Sequence, residues 1–261
     1  MIIDTHCHLD DDRYKDDLDD VIKRAKEAGV EKIIIPGADP DTLNRAVDIA
    51  TKYKDIYFAV GVHPYDIEKF DIKFLEEYIE HPKCVAVGEC GLDYYRLPKD
   101  KDEKEQIKKR QKEVFIEQIK LSNRYKKPLI VHIREASLDS KEILKSYSKE
   151  GGVLHCFNAS EALLELDKHN FYFGIGGVVT FKNAKKLVNI LPKIPLDKIL
   201  LETDGPYLTP EPYRGKRNEP AYTRFVLDRI SEILKIDKKE LENRFFQNST
   251  RLFKGLIGNN I

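Results

Sequence analysis

Eight short runs rich in β-branched and aromatic residues recur along the chain, separated by stretches with helical periodicity. The runs are "MIIDTHCH", "KIIIPGA", "IYFAVGVHP", "CVAVGECGLDYY", "PLIVHIR", "GVLHCF", "FYFGIGG" and "ILLETDGPY". Between the first two, "DDLDDVIKRAKEAG" places Leu18, Val21, Ile22 and Ala25 on one helical face and closes with Gly29. "PDTLNRAVDIATKY", "KFLEEYIEH", "QKEVFIEQIKLSNRY", "SKEILKSYSKEGG", "SEALLELDKH" and "NAKKLVNILP" follow the same logic. Strand followed by helix, repeated in this way, predicts an α/β protein: a single (β/α)8 TIM barrel over 1–261 rather than an open doubly wound sheet. A doubly wound sheet usually carries a glycine-rich phosphate loop after its first strand. Here the first strand ends in His-Cys-His. The C-terminal "AYTRFVLDRISEILKIDKKELENRFFQNSTRLF" reads as two amphipathic helices packing on the barrel, with Asp237 capping the second. The charged "LPKDKDEKEQIKKRQKE" reads as a solvated loop and helix surface.

Composition narrows the function. Lys and Arg number 45, as do Asp and Glu, so the net charge is zero. That argues against a protein gripping nucleic acid with its whole surface and leaves room for a local basic patch. The first residues lead straight into strand-like sequence, and no run of about 18 apolar residues occurs, so a cytoplasmic protein with no membrane partner is expected. The four cysteines form no CxxC pair and read as reduced thiols. No obligate protein partner is evident.

The strand ends carry the chemistry. His6 and His8 close the first run, Glu89 the fourth, His132 the fifth, His155 the sixth and Asp204 the eighth. In a barrel of this kind the C-terminal ends of the strands converge on one face, so six potential ligands distant in sequence would meet in one cup. Alternation along a strand puts His6 and His8 on one side and Cys7 on the other. Cys90 beside Glu89 and Cys156 beside His155 should likewise point away, as packing residues. Mixed imidazole and carboxylate donors suit a pair of Zn, Mn, Ni or similar ions better than Ca. Six ligands serve two ions only if one carboxylate bridges, and Glu89 is placed for that.

"DTHCHLD", "GVHP", "GECGLDYY", "PLIVHIREA", "HCF", "FGIGGVVTF", "LLETDGPYLTP", "YRGKRNEP" and "NSTRLF" together resemble the TatD family of metal-dependent deoxyribonucleases, within the wider amidohydrolase-type barrels, over the whole chain. The resemblance implies a (β/α)8 barrel and hydrolysis of DNA that depends on two divalent ions (Mg, Mn, Zn or Ni). It implies that His6, His8, Glu89 and Asp204 hold one ion and Glu89, His132 and His155 the other. "VAVGECG" has no lysine to serve as the modified bridge of other superfamily branches, which favours the Glu-bridged branch. DNA is then the expected substrate, cleaved from its ends. The alternative is an ester or amide hydrolase of the same barrel type, such as a D-aminoacyl-tRNA deacylase, with RNA or tRNA as substrate.

Mechanistically, two ions roughly 3.5–4 Å apart clamp a phosphodiester and lower the pKa of water, and Asp204 is expected to accept the proton as general base. Its alternative reading is a helix N-cap ahead of "GPYLTP". His63 in "GVHP" reads as a phosphate contact or as an organiser of the loop at Pro64. Arg134 reads as a phosphate contact or a surface ion pair. Arg214, Lys216 and Arg217 follow the eighth strand, where barrels often bind phosphate, and otherwise form a solvated basic loop. Tyr94, Tyr95, Phe157 and Tyr207 are candidates for stacking on bases or for wall packing. Asp4 and Glu202 lie one layer deeper than the ligands and are expected to orient histidines. His81 and His169 read as surface residues at helix ends.

Overall fold

The computed structural model describes residues 1–257. Eight parallel strands pair in sequence order: β1 Ile2–Asp4, β2 Val30–Ile35, β3 Ile56–Val60, β4 Cys84–Asp93, β5 Leu129–Arg134, β6 Gly152–Leu154, β7 Phe171–Ile175 and β8 Ile199–Leu201. The helices are α1 Leu18–Glu27, α2 Pro40–Lys52, α3 Ile72–Ile79, α4 Lys101–Tyr125, α5 Ser137–Tyr147, α6 Lys185–Ile190, α7 Thr223–Leu234 and α8 Lys238–Leu252. This is the (β/α)8 barrel expected from the alternation. Its seam is unusual: β1 and β8 meet just beyond their ends, where Thr5 N donates to Leu201 O (3.1 Å), Asp204 N to His6 O (2.8 Å) and His8 N to Gly205 O (2.7 Å). Cys7 and Gly205 form an isolated parallel bridge there.

Every strand contributes buried side chains to a cluster inside the barrel: Ile3, Ile34, Tyr57 with Ala59, Val85 with Ala86, Ile130, Val153, Tyr172 and Leu200. Leu252, Phe253 and Leu256, at and beyond the end of α8, pack on this cluster and close the end of the barrel where the strands begin. The alternate residues, among them Ile33, Ile35, Phe58, Val60, Leu129, Val131 and Phe173, join a second cluster with the inner faces of the helices. Cys7 and Cys90 belong to that outer cluster, Cys7 with its Sγ 3.9 Å from the Tyr14 hydroxyl, as local alternation predicts.

The charged stretch is, as expected, a loop and a solvated helix surface, helical from Lys101 onward because Asp100 caps it by accepting from Glu103 N and Asp102 and Glu103 complement the helix dipole. Two helical segments differ from the sequence expectation. "EALLELDKH" forms 3-10 turns over Glu161–His169 instead of an α-helix. α6 is only six residues long and passes into a 3-10 turn containing Pro192, which cannot continue the ladder. Asp237 does cap α8, accepting from the backbone N–H of Lys239 and Glu240.

Candidate metal centre

Glu89 is the hub of the open end. Its placement depends on the chain just before it: Gly88 has φ +149°, and a Cβ there would lie 2.4 Å from Ile130 O, so β4 and β5 approach too closely for any side chain. The Glu89 carboxylate is almost fully buried and stands among five imidazoles. Oε2 lies 3.2 Å from His6 Nε2 and 3.6 Å from His8 Nε2. Oε1 lies 3.0 Å from His132 Nδ1, 3.4 Å from His155 Nε2 and 3.5 Å from His63 Nε2. Burial alone would raise the Glu89 pKa, but His155, His6 and the bond from His132 hold it well below the usual carboxylate range.

Asp204 completes the first group. Its Oδ1 is 3.5 Å from His6 Nε2 and 3.4 Å from His8 Nε2, and those two nitrogens are 3.3 Å apart. Four donors in tetrahedral array around one ion at about 2.1 Å stand roughly 3.4 Å from one another. The separations of 3.2–3.6 Å therefore fit a shared cation.

Tautomers sort the second group. His132 lies between two carboxylates, Nε2 being 2.8 Å from Asp93 Oδ2, so a proton on Nε2 leaves the Nδ1 lone pair facing Glu89. At His155 a carboxylate also stands behind the ring, Glu202 Oε1 being 3.3 Å from Nδ1 but outside hydrogen-bond geometry, while Nε2 faces Glu89. A carboxylate behind an imidazole is the usual backing of a metal-ligating histidine. Gly174 makes room for Glu202, since a Cβ there would meet Oε2 at 2.2 Å. His63 differs. Its Nδ1 accepts from Tyr65 N (3.0 Å), which puts the proton on Nε2 and makes that atom a donor towards Oε1. Burial lowers its pKa to about 4, so the ring is neutral.

The cluster opens into a cleft with two lobes, which share His132, Arg134, His155, Asp204 and Tyr207. The lobe on the β1–β4 side, about 560 Å³, is lined by His8, Asp10, Thr42, His63, Tyr65 and Arg96 among others. The lobe on the β6–β8 side, about 540 Å³, is largely apolar. Arg134 lies at the junction, its guanidinium 3.6 Å from the ring centre of Tyr95.

Several expected positions are corrected. Arg214, Lys216 and Arg217 do not line the cleft. Arg217 is held by Asp17 through two bonds of 2.6 and 2.7 Å, Arg214 lies over Phe181, and Lys216 lies over Tyr213. The loop straps the end of β8 to the region before α1, with Tyr14 donating to Asn218 O and Asn218 Nδ2 donating to Thr203 O and Tyr207 O. Asp4 touches no imidazole. It accepts from His6 N, Thr203 N and the Thr203 hydroxyl, fixing the backbone at the seam, and burial raises its pKa to about 8. Tyr94 is tied to Asp139 (2.7 Å), away from the cluster, and Asp204 precedes no helix. Asp93 and Arg96 were not singled out from the sequence. Asp93 was within reach, because it lies four residues past Glu89 on one strand.

Residues 3–254 match the family model described as TatD related DNase. The chain is 44% identical to the uncharacterized metal-dependent hydrolase YabD of Bacillus subtilis (strain 168), with 97% of this chain and 99% of that one covered. It is 33% identical to the 3'-5' ssDNA/RNA exonuclease TatD of Shigella flexneri serotype 5b, covering 88% of this chain and 90% of the other. The crystal structure of the TatD homologue YJJV from Escherichia coli K12 superposes with a TM-score of 0.88 at 32% identity, covering 97% and 98% of the two chains.

Proposed function

The chain belongs to the TatD-related DNase family of metal-dependent hydrolases, and from that premise we propose that it hydrolyses phosphodiester bonds at the ends of DNA strands with two divalent ions. One observation carries this reading: the two oxygens of Glu89 face two separate sets of imidazole nitrogens. His6, His8, Asp204 and Glu89 would hold one ion, and Glu89, His132 and His155 the second. When bound, the ions supply the positive charge that neutralises a phosphodiester and the acidity that yields hydroxide near neutral pH.

The remaining steps belong to side chains. Burial would raise the Asp204 pKa, but the bond from His8 and the charges of His155 and His6 bring it below its ordinary value, so the carboxylate is ionised at neutral pH. With Oδ1 turned to His6 and His8, Oδ2 takes the proton from the attacking water. His63 offers its Nε2 proton to a phosphate oxygen, and Arg134, braced on Tyr95, holds the adjoining phosphate. No helix among the described residues is long and apolar enough to cross a membrane.

The test reloads metal-free protein with Mg, Mn, Zn or Ni and offers labelled single-stranded DNA, RNA and aminoacyl-tRNA side by side. Nucleotide release from DNA ends that a chelator abolishes is expected. Release of the amino acid alone would replace the reading with the ester-hydrolase alternative. Asp204→Asn is expected to lower turnover about 100- to 10,000-fold, the range for a general base.

A further inference from the structure

The two lobes of the cleft offer unlike surroundings to the groups flanking the reacting bond. The lobe on the β1–β4 side is lined by acids, including Asp10, which is buried with its Oδ1 unpartnered. The lobe on the β6–β8 side has walls of Ile133, Phe157, Val178, Ala184 and Leu187, and Leu208 stands half-exposed at its mouth. Besides the cluster residues His132, His155 and Asp204, its polar side chains are Cys156, Asn183, Lys186 and Tyr207, the last three exposed, and Arg134 at the junction with the cluster. Asn158 also lines it, but its amide is committed to Ile133 O, the Ser137 hydroxyl and Ser160 N. His132, His155 and Asp204 line the same lobe, so a group seated in it adjoins the reacting centre.

We propose that this apolar lobe is the nucleobase pocket of the enzyme, seating the base of the terminal nucleotide while its phosphodiester lies over the Glu89 cluster. The inference rests on the phosphodiesterase reading and deepens it by naming the part of the substrate that is recognised. A flat heterocycle has apolar faces and polar edges, and the lobe presents apolar walls with a free amide at the rim. A phosphate would find charged donors only at the rim, from Arg134 and Lys186, and a sugar would leave its hydroxyls unpaired against the apolar walls. The pocket volume of about 540 Å³ admits a purine as readily as a pyrimidine. With apolar walls supplying the contact, all four bases are accepted, as is usual where stacking and not edge reading holds the base.

Two measurements test this. In the first, metal-loaded enzyme is given single-stranded oligonucleotides whose terminal nucleotide is normal or abasic. A kcat/KM about tenfold or more higher for the base-bearing end is expected, with the ratio falling towards one in Ala184→Trp, which fills the lobe. In the second, calorimetry on the metal-loaded wild-type protein compares a nucleoside 5'-monophosphate with deoxyribose 5-phosphate, and tighter binding of the former by a similar factor is expected. This second readout needs neither turnover nor a folded variant. Equal binding of the two ligands, or equal cleavage of normal and abasic ends, would overturn the base pocket and leave the phosphodiesterase reading standing. An enzyme that cleaves no oligonucleotide yet binds the nucleotide more tightly would do the reverse.

Discussion

At the end of the barrel where the strands begin, apolar side chains from all eight strands meet under Phe253 and Leu256. At the other end, the same strands deliver five imidazoles and two carboxylates around an open cleft. The closed end satisfies the hydrophobic effect and needs only shape. The open end gathers buried polar groups that oppose folding unless they pair with one another or with a cation. Stability and chemistry are therefore assigned to opposite ends of one set of strands.

The separation can be broken from either side. Phe253→Ala should cost about 3–5 kcal/mol of unfolding free energy, as large-to-small changes in a packed core do. Denaturant titration reads that loss, and metal content and kcat per folded molecule should stay unchanged. A fall in kcat would mean that the two ends communicate. Glu89→Gln should lose more activity than the roughly 10- to 100-fold typical of a partner behind a ligand, with elemental analysis finding fewer than two ions per chain and circular dichroism still reporting the barrel. Asp93→Asn, which removes the carboxylate behind His132, should weaken metal affinity by about 10- to 100-fold, measured by chelator competition. Asp237→Ala should be the mildest, costing about 1 kcal/mol through loss of the α8 cap without touching the cleft.

Much of the open end was readable in advance because four strands keep strict alternation. His63, His132, His155 and Asp204 each lie an even number of residues past the inner-layer side chain of their strand, namely Tyr57, Ile130, Val153 and Leu200. The other two strands slip. His6 and His8 are out of step with Ile3, and in β4 both Val85 and Ala86 face inward before the pairing with β5 shifts between Val87 and Cys90. The slip at β1 is why period 2 placed Asp4 beside an imidazole when it grips backbone. The basic loop misled for another reason. Arg217 announces a charge, but its partner Asp17 is two hundred residues away in sequence, and nothing local distinguishes a fork for phosphate from a fork already occupied.

The seam between β1 and β8 also sets a schedule. A nascent chain that has reached Ile190 already carries five of the clustered histidines and Glu89, but it lacks Asp204 and the backbone at Leu201 and Gly205 to which Thr5 and His8 bond. The first and last strands of the barrel are joined by the very segments that bear His6, His8 and Asp204. Translation must pass the eighth strand before the seam bonds can form and Asp204 can join His6 and His8.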